Sequence, residues 1–454
     1  MKRTVILSLS FVVSLSLYAQ RNLSLSECRE MALNNDVHVK NAHLDVLASE
    51  ARRNEAMAEY FPQVSVNSFA FAALRPMLEI SVKDIFGESA FSSDLQAAVD
   101  YLGQEYGFSS VFTALQSGFS ASVSAFQPVY AGGRIVTGNR LASLGKDAAL
   151  LHKDMTVRDV LENVDKEYWR VVMLEAKVQV LDASEDFLDN LAGDVETAVG
   201  AGLALDTDLM QVMLQKNVLK KQRLSLNGGL RLAKMNLFNS IGQPYSLVRD
   251  MQDSVRPYID DIVLSDRLAG LKPPEEYYVD EEEAVASLEE MKLLDLSVES
   301  RILERKMALG EALPQVGIGA SYGYVHAMNR RFNGFVFAMV RIPLTDWGKV
   351  SYRMKRTDLT LEKARIDRDY VGSQLLLRRR SLWLDLNVAW EQVALAREDM
   401  FLAQKTAERM HEQYEAGLVT LSDLLQSRTQ MSVKADALIE AKAGYLSALS
   451  SYIK

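Results

Sequence analysis

Four segments of the chain carry no charged residue, and two of them alternate between apolar and small or polar positions with a period of two. Residues 117–126 read SGFSASVSAF, and residues 315–324 read QVGIGASYGY. This period is typical of β-strands, because successive side chains point to opposite faces. The pattern predicts four strands, within Tyr60–Leu74, Phe108–Tyr130, Pro314–Val325 and Phe332–Val340.

Two long proline-free segments, 134–199 and 349–414, change to a period of seven. The recurring apolar positions of the first are Val157, Val164, Val171 and Val178, followed by Leu174, Leu181 and Leu188, and those of the second are Leu375, Leu382, Ala389, Ala396 and Ala403. A repeat of seven predicts supercoiled helices. At 1.5 Å per residue each helix would be about 100 Å long, more than a globular core needs.

Three landmarks occur twice, in the same order, so the chain is predicted to be internally duplicated. AEYFPQVSV at 58–66 returns as GEALPQVGI at 310–318, an offset of 252 residues. FQPVYAGGR at 126–134 returns as RIPLTDWGK at 341–349, and VGAGLALDTDLM at 199–210 returns as YEAGLVTLSDLL at 414–425, both at an offset of 215. The first copy therefore holds 37 extra residues between the first two landmarks.

The middle landmark joins a predicted strand to a predicted helix. We expect its proline to end the strand, its glycines to permit the turn and its basic residue to lie where lipid headgroups or water begin. The residues concerned are Pro128, Gly132, Gly133 and Arg134 in the first copy and Pro343, Gly348 and Lys349 in the second.

The N-terminal segment has the pattern of a secretory signal peptide. Lys2 and Arg3 precede a short apolar and serine-rich stretch, and Ala19 provides a small residue for cleavage, so residues 1–19 are predicted to be removed. The formal charge of −9 then becomes −11, which disfavours nucleic-acid binding. The one cysteine, Cys28, has no partner in the chain for a disulfide.

The predicted strands favour a membrane location over a soluble sheet, although alternation alone fits both. Residues 60–130 and 314–347 hold 19 of the 37 aromatic residues in 105 positions, as the aromatic girdles of membrane strands would. Four strands cannot close a barrel, and an open sheet edge in lipid leaves backbone groups unpaired. Several copies of the chain are therefore expected to share one barrel.

These features resemble the TolC-like outer-membrane efflux channel family, over essentially the whole mature chain. The resemblance rests on the signal peptide, the duplicated strand-pair and long-helix unit, FQPVYAGGR, and YEAGLVTLSDLL followed by a C-terminal helix. It implies an α+β membrane protein in which four strands per chain contribute to a 12-stranded trimeric barrel that continues into a helical coiled-coil tunnel across the periplasm. It also implies a homotrimer in outer-membrane lipid whose partners are a periplasmic adaptor and an inner-membrane transporter.

The resemblance also implies a gate at the helix tips. Tyr414 matches the family's tip tyrosine, while Asp423 and Asp208 match its first gate aspartates, which a trimer would turn into rings of carboxylates that favour cations. Gln426 stands where a second gate aspartate is usual, and Val419 where a latching arginine is usual. The ring is therefore expected to be weaker here.

The tip residues also have simpler interpretations. TLSD at 420–423 is a capping box in which Asp423 supports the start of a helix, and this role can coexist with the gate. The tip glycines are expected in left-handed turns, and the apolar residues beside them are expected to be exposed for docking of the adaptor. These residues are Gly202, Leu203 and Leu205 in the first copy and Gly417, Leu418 and Leu421 in the second.

The predicted organisation follows from these landmarks. The first repeat covers 20–244, with an extracellular insertion at 74–107 and a helix tip near 200–208. A linker that the family places around the middle of the tunnel covers 245–283. The second repeat covers 284–454, with strands at 314–342 and a tip near 415–423.

Other functions have less support. The five histidines are scattered without metal-ligand spacing, and no nucleophile motif or phosphate-binding glycine loop is present, so neither catalysis, a metal nor a cofactor is predicted. The alternative to an exit duct for efflux or secretion is an exported coiled-coil structural or adhesive protein without a pore.

Overall fold

The computed structural model describes residues 21–75, 78–106, 112–114, 117–248, 257–325 and 331–454. The predicted signal peptide lies outside the described residues. The helices are α1 (Leu25–Asn35), α2 (Val37–Ala58), α3 (Val82–Phe86), α4 (Ala90–Tyr106), α5 (Arg134–Gly200), α6 (Asp206–Ser240), α7 (Glu281–Ser287), α8 (Glu289–Gly310), α9 (Lys349–Glu415) and α10 (Leu421–Ile453). The strands are β1 (Arg21–Leu23), β2 (Gln63–Ala72), β3 (Leu78–Ile80), β4 (Phe112–Ala114), β5 (Ser117–Ala131), β6 (Ile262–Leu264), β7 (Gln315–Val325) and β8 (Arg331–Arg341).

The duplicated α+β fold predicted from the sequence is confirmed. α5 and α9 have 67 residues each and occupy equivalent places in the two copies. Each follows a pair of strands and is followed by a second long helix, α6 or α10. The described residues group into two compact units, one drawn from the described parts of 21–47, 148–295 and 367–454 and the other from those of 48–147 and 296–366.

The first unit has its core between long helices. Val164 and Val171 of α5 are fully buried, as the repeat of seven predicts. In α9 the buried positions are Leu386, Val393 and Ala407, each four residues beyond a predicted position. Positions four apart lie on the same side of a helix, so the predicted stripe has the correct period and a shifted centre.

The second unit contains a four-stranded antiparallel sheet with the strand order β2-β5-β7-β8. Its first pairing runs through ten residues, from Gln63 opposite Phe126 to Ala72 opposite Ser117. This order reflects the duplication. β2 and β5 come from the first copy, β7 and β8 come from the second, and the two pairs are joined where β5 pairs with β7. β2 and β8 form the two edges of the sheet in this chain.

Pro128 does not end its strand, contrary to the prediction. β5 continues to Ala131, and Pro128 lies opposite Gly317 in the sheet. The pairing shifts between Pro128 and Tyr130, which marks a β-bulge. A bulge leaves backbone groups out of the regular hydrogen-bond ladder, so it accommodates a residue that has no backbone N–H.

Two further boundaries differ from the predictions. Phe112–Ala114, predicted as part of a sheet strand, pairs instead with β3 inside the inserted region. The acidic run before residue 284 belongs to α7, so the predicted end of the linker falls inside a helix. Asp280 caps α7 by accepting hydrogen bonds from the backbone N–H groups of Glu282 and Glu283. The lack of charge in Phe112–Ala114 did not show which strand this segment pairs with. The acidic composition before residue 284 did not show that this run forms a helix.

Candidate functional site

The four-stranded sheet has one apolar face. Cross-strand neighbours share a face, and Val66, Val123, Tyr322 and Gly334 form one such row. Val66 is 75% exposed, so nothing in the described chain covers this face at that point. An apolar sheet face of this kind needs an apolar environment.

The opposite face is polar at its centre. Ser65, Ser124 and Ser321 are neighbours in one row, and the hydroxyl oxygens of Ser124 and Ser321 are 3.1 Å apart, which is a hydrogen bond. Phenylalanine rings on this face lie directly over glycines, so that a β-carbon on Gly317 or Gly319 would overlap a ring of Phe126 or Phe337. The rings thus fill the space that the glycines leave.

The strand-to-helix turn of the first copy depends on two glycines. Gly132 and Gly133 have positive φ angles of 63° and 76°, and α5 begins at the next residue, Arg134. A β-carbon on Gly132 would overlap the carbonyl oxygen of Gly310, at the end of α8. This turn therefore needs glycine both for its conformation and for a close backbone approach.

The equivalent turn of the second copy uses different chemistry. Gly348 has a φ of 82°, and Trp347 before it has a φ of 55°, a conformation that is rare for a bulky residue. Asp346 stabilises the turn, because its carboxylate accepts from the backbone N–H groups of Gly348 and Val350. α9 begins at Lys349, and Pro343 lies between β8 and the turn.

The two helix tips have the same backbone structure. At the first tip Gly202 N–H donates to the carbonyl of Val199, and Leu203 N–H donates to that of Ala198. At the second tip Gly417 and Leu418 make the equivalent two bonds to Tyr414 and Gln413. Gly202 and Gly417 both have a φ of 72°. This pair of bonds with a left-handed glycine is the Schellman ending of a helix.

Asp423 forms the capping box that the sequence indicates. Thr420 accepts from the backbone N–H of Asp423, and the Asp423 carboxylate accepts from the N–H and the hydroxyl of Thr420. The hydroxyl and backbone bonds hold the pKa of Asp423 below its ordinary value, so the exposed carboxylate is charged. At the first tip the Asp208 carboxylate likewise accepts from the backbone N–H of Leu205, which occupies the cap position. Leucine has no side-chain oxygen, so the bond in the other direction is missing.

Leu421 is not an exposed docking residue, contrary to the prediction. Its side chain is 6% exposed and packs with Leu424 and Leu425 against α5 and α6. Positions three and four apart share one side of a helix, and in α10 that side faces the core. The other predicted tip leucines, Leu203, Leu205 and Leu418, are 84%, 68% and 75% exposed.

Tyr414 and Gln426 lie in different surroundings. Tyr414 packs against the apolar cluster of the tip, and its burial, together with the charges of Asp208 and Asp194, raises its pKa. The two tips of the chain therefore meet at this phenol. Gln426 is exposed on α10.

The sequence did not indicate a group around Phe187, which joins three helices. The guanidinium carbon of Arg428 in α10 lies 4.2 Å from the centre of the Phe187 ring in α5. The His411 ring of α9 stands edge-on to the same ring, with centres 6.0 Å apart. A repeat of seven locates the helix core but does not show which polar side chains meet an aromatic ring.

No cluster of His, Cys, Asp or Glu in the described chain could hold a metal ion. None of the described helices combines the length and apolar character required to cross a bilayer.

Comparisons with known proteins agree with this architecture. Residues 294–451 match the family model described as outer membrane efflux protein. A search of curated protein sequences finds no match.

Several solved structures share the fold along nearly the whole chain. The outer membrane protein VceC of Vibrio cholerae is 13% identical with a TM-score of 0.71, and the match covers 94% of this chain and 95% of VceC. The Campylobacter jejuni CmeC outer membrane channel is 13% identical with a TM-score of 0.73, with 94% and 84% covered. The open Neisseria gonorrhoeae MtrE outer membrane channel is 12% identical with a TM-score of 0.70, with 94% and 88% covered.

The predicted resemblance is thus confirmed: residues 294–451 match the outer membrane efflux protein family, and the described chain has the fold of outer-membrane channels of this kind.

Proposed function

We propose that three copies of this chain form an outer-membrane exit duct, which passively conducts substrates from the periplasm to the exterior. The observation that carries the proposal is the exposed four-stranded sheet, apolar on one face and serine-rich at the centre of the other. In a membrane barrel the apolar face contacts lipid and the other face lines an aqueous lumen. Three sheets joined edge to edge, β8 of one copy to β2 of the next, would pair both edges in a 12-stranded barrel.

The surface of α9 supports assembly of several copies. Six exposed apolar residues of α9 form two sets of three that are 18 residues apart, which is five turns of a straight α-helix, so all six lie in one stripe. They are Tyr370, Leu377, Leu384, Val388, Leu395 and Leu402, each more than half exposed. A continuous apolar stripe of this length indicates contact with another helix, and a neighbouring copy of this chain is the partner that we propose.

The tips support a role in gating and docking. Three copies of Asp423 around one axis would form a ring of carboxylates that favours cations, and Asp208 would add a second ring. Exposed leucines at Leu203, Leu205 and Leu418 would receive a periplasmic adaptor, which would link the duct to an inner-membrane transporter.

Conductance and mass together test the proposal. The mature chain is purified in detergent, its oligomeric mass is measured, and the same sample is added to a planar lipid bilayer. Stable single-channel steps from a trimer are expected. A silent, water-soluble species would instead support an exported coiled-coil scaffold.

A further inference from the structure

The helices of the first unit line a partly open cavity of about 290 Å³ behind the tips. α5, α6, α9 and α10 all contribute to its wall. Its volume lies near the small end of the range of about 300–1,000 Å³ typical of small-molecule sites, and so fits a molecule of one or two rings. The charge and polarity of the wall indicate what kind of molecule that is.

Arg428 gives the cavity a positive charge. Its guanidinium stacks on Phe187, and its buried Nε has no hydrogen-bond partner among the described residues. Burial lowers the pKa of Arg428, while the charge of Glu408 acts in the opposite direction. A guanidinium nevertheless stays protonated in proteins, so the cavity wall carries a cation that can pair with an anionic ligand.

Apart from Asp436, the rest of the wall is apolar or uncharged. Phe187, Leu188 and Met400 provide an apolar surface. Gln215 donates to Thr429 at 3.2 Å, so these polar groups are already paired with each other. The wall therefore suits an apolar body attached to one anionic group.

Asp436 limits the number of anionic groups that the ligand can carry. It lies on the same wall as Arg428, and its burial raises its pKa, with the charge of Glu440 adding to this and that of Lys177 opposing it. A second acidic group on the ligand would meet this carboxyl. The wall thus favours a monoanion.

We propose that this cavity binds a small amphipathic monocarboxylate, with Arg428 as its counter-ion and the Phe187 side of the wall as its apolar surface. The carboxylate accepts from the terminal nitrogens of the guanidinium, since Nε is itself buried. The inference does not require the chain to conduct, so binding and conductance can fail separately.

Calorimetric titration of the full chain in lipid nanodiscs tests this assignment, with 2-naphthoate as the probe and the uncharged 2-naphthalenemethanol as its analogue. Empty nanodiscs give the background. Saturable binding of 2-naphthoate at one site per chain is expected. Arg428→Met should weaken it about tenfold or more, because a charge-assisted hydrogen bond is lost, and should leave the weaker binding of the alcohol unchanged.

Two further variants separate charge from damage to the fold. Arg428→Lys keeps the charge and should retain most of the affinity, and Arg409→Met removes an exposed arginine of α9 outside the cavity and should change nothing. Each variant is checked by circular dichroism. Equal affinity of wild type and Arg428→Met for 2-naphthoate, or no saturable binding to the wild-type protein, would overturn the proposal.

Discussion

Arg29 and Asp165 form a two-pronged ion pair, in which Nε and one terminal nitrogen of the guanidinium each donate to a carboxylate oxygen at 2.7 Å. The Asp165 side chain is fully buried in α5. Ser450 and Lys454, at the end of α10, also donate to it. One carboxylate thus joins α1, α5 and α10, three elements that are far apart in the chain.

Asp165→Asn should destabilise the protein by about 3 kcal/mol, because it removes the partner of two cationic groups in a largely buried site. The expected result is a clear drop in the midpoint of thermal unfolding, measured by circular dichroism in detergent. Asp186→Asn, at an exposed position of the same helix, is the matched control and should unfold like wild type. Equal midpoints for the two variants would show that the buried network contributes little.

The same carboxylate predicts a pH dependence. Burial acts to raise the pKa of Asp165, but the hydrogen bonds from Arg29, Lys454 and Ser450 outweigh it and lower the pKa below the ordinary 3.8. A group with a lowered pKa stabilises the fold above its unfolded pKa, and this stability is lost as the pH falls through the folded pKa. The gap in unfolding midpoint between wild type and Asp165→Asn should therefore be constant near neutral pH and narrow below 3.8. A gap that is unchanged down to the acid limit of folding would contradict this.

Gly132→Ala should destabilise the strand-to-helix turn, because the added methyl group overlaps the backbone of Gly310 and the φ angle of 63° disfavours any other residue. Gly138→Ala is the control. It lies four residues into α5 with open space around it, and alanine favours helix over glycine by about 1 kcal/mol. Thermal unfolding should show a lower midpoint for the first variant and an unchanged or higher one for the second. A similar effect of both changes would mean that the close approach is not needed.

Much of this fold could be predicted from periodicity, because a strand or helix that buries one side records that side in its sequence. Val164 and Val171 are buried where the repeat of seven places them. In α9 the same reasoning selects Leu382 and Ala389, whereas Leu386, which lies between them, is fully buried. The stripe is broad enough to hold both, and the choice between them depends on the neighbouring helix.

The tip residues show the same limit. Leu203, Leu418 and Leu421 have similar sequence surroundings, and only Leu421 is buried. Its position follows from the cap at Thr420, which starts a helix and turns the next residue towards α5 and α6. The cavity beside Arg428 was not predictable either, since it is formed by side chains of four helices that are distant in sequence.

The proposed trimer predicts that charge on the α9 stripe prevents assembly. Leu377→Asp combined with Leu395→Asp should convert the trimer to smaller species, because both exposed leucines would be buried between copies and a buried carboxylate without a partner is costly. Ala394→Asp, exposed on the same helix about a quarter turn away, should leave the trimer intact. Light scattering of the detergent complex measures the mass. A trimer that survives the double change would place the contact on another surface.

Asp423 has a capping role in the structure and a proposed role as a cation-selective ring, and two substitutions separate them. Asp423→Asn keeps a side-chain oxygen that can accept from Thr420 but removes the charge, whereas Asp423→Ala removes both. If the ring acts on permeating ions, both variants should lower the ratio of cation to anion permeability severalfold, measured from reversal potentials in a salt gradient. Asp154→Asn removes one exposed charge elsewhere on α5 and should leave the ratio unchanged. An Asp423→Asn channel with wild-type selectivity would leave the carboxylate with its capping role alone, since the capping hydrogen bond does not require a charge.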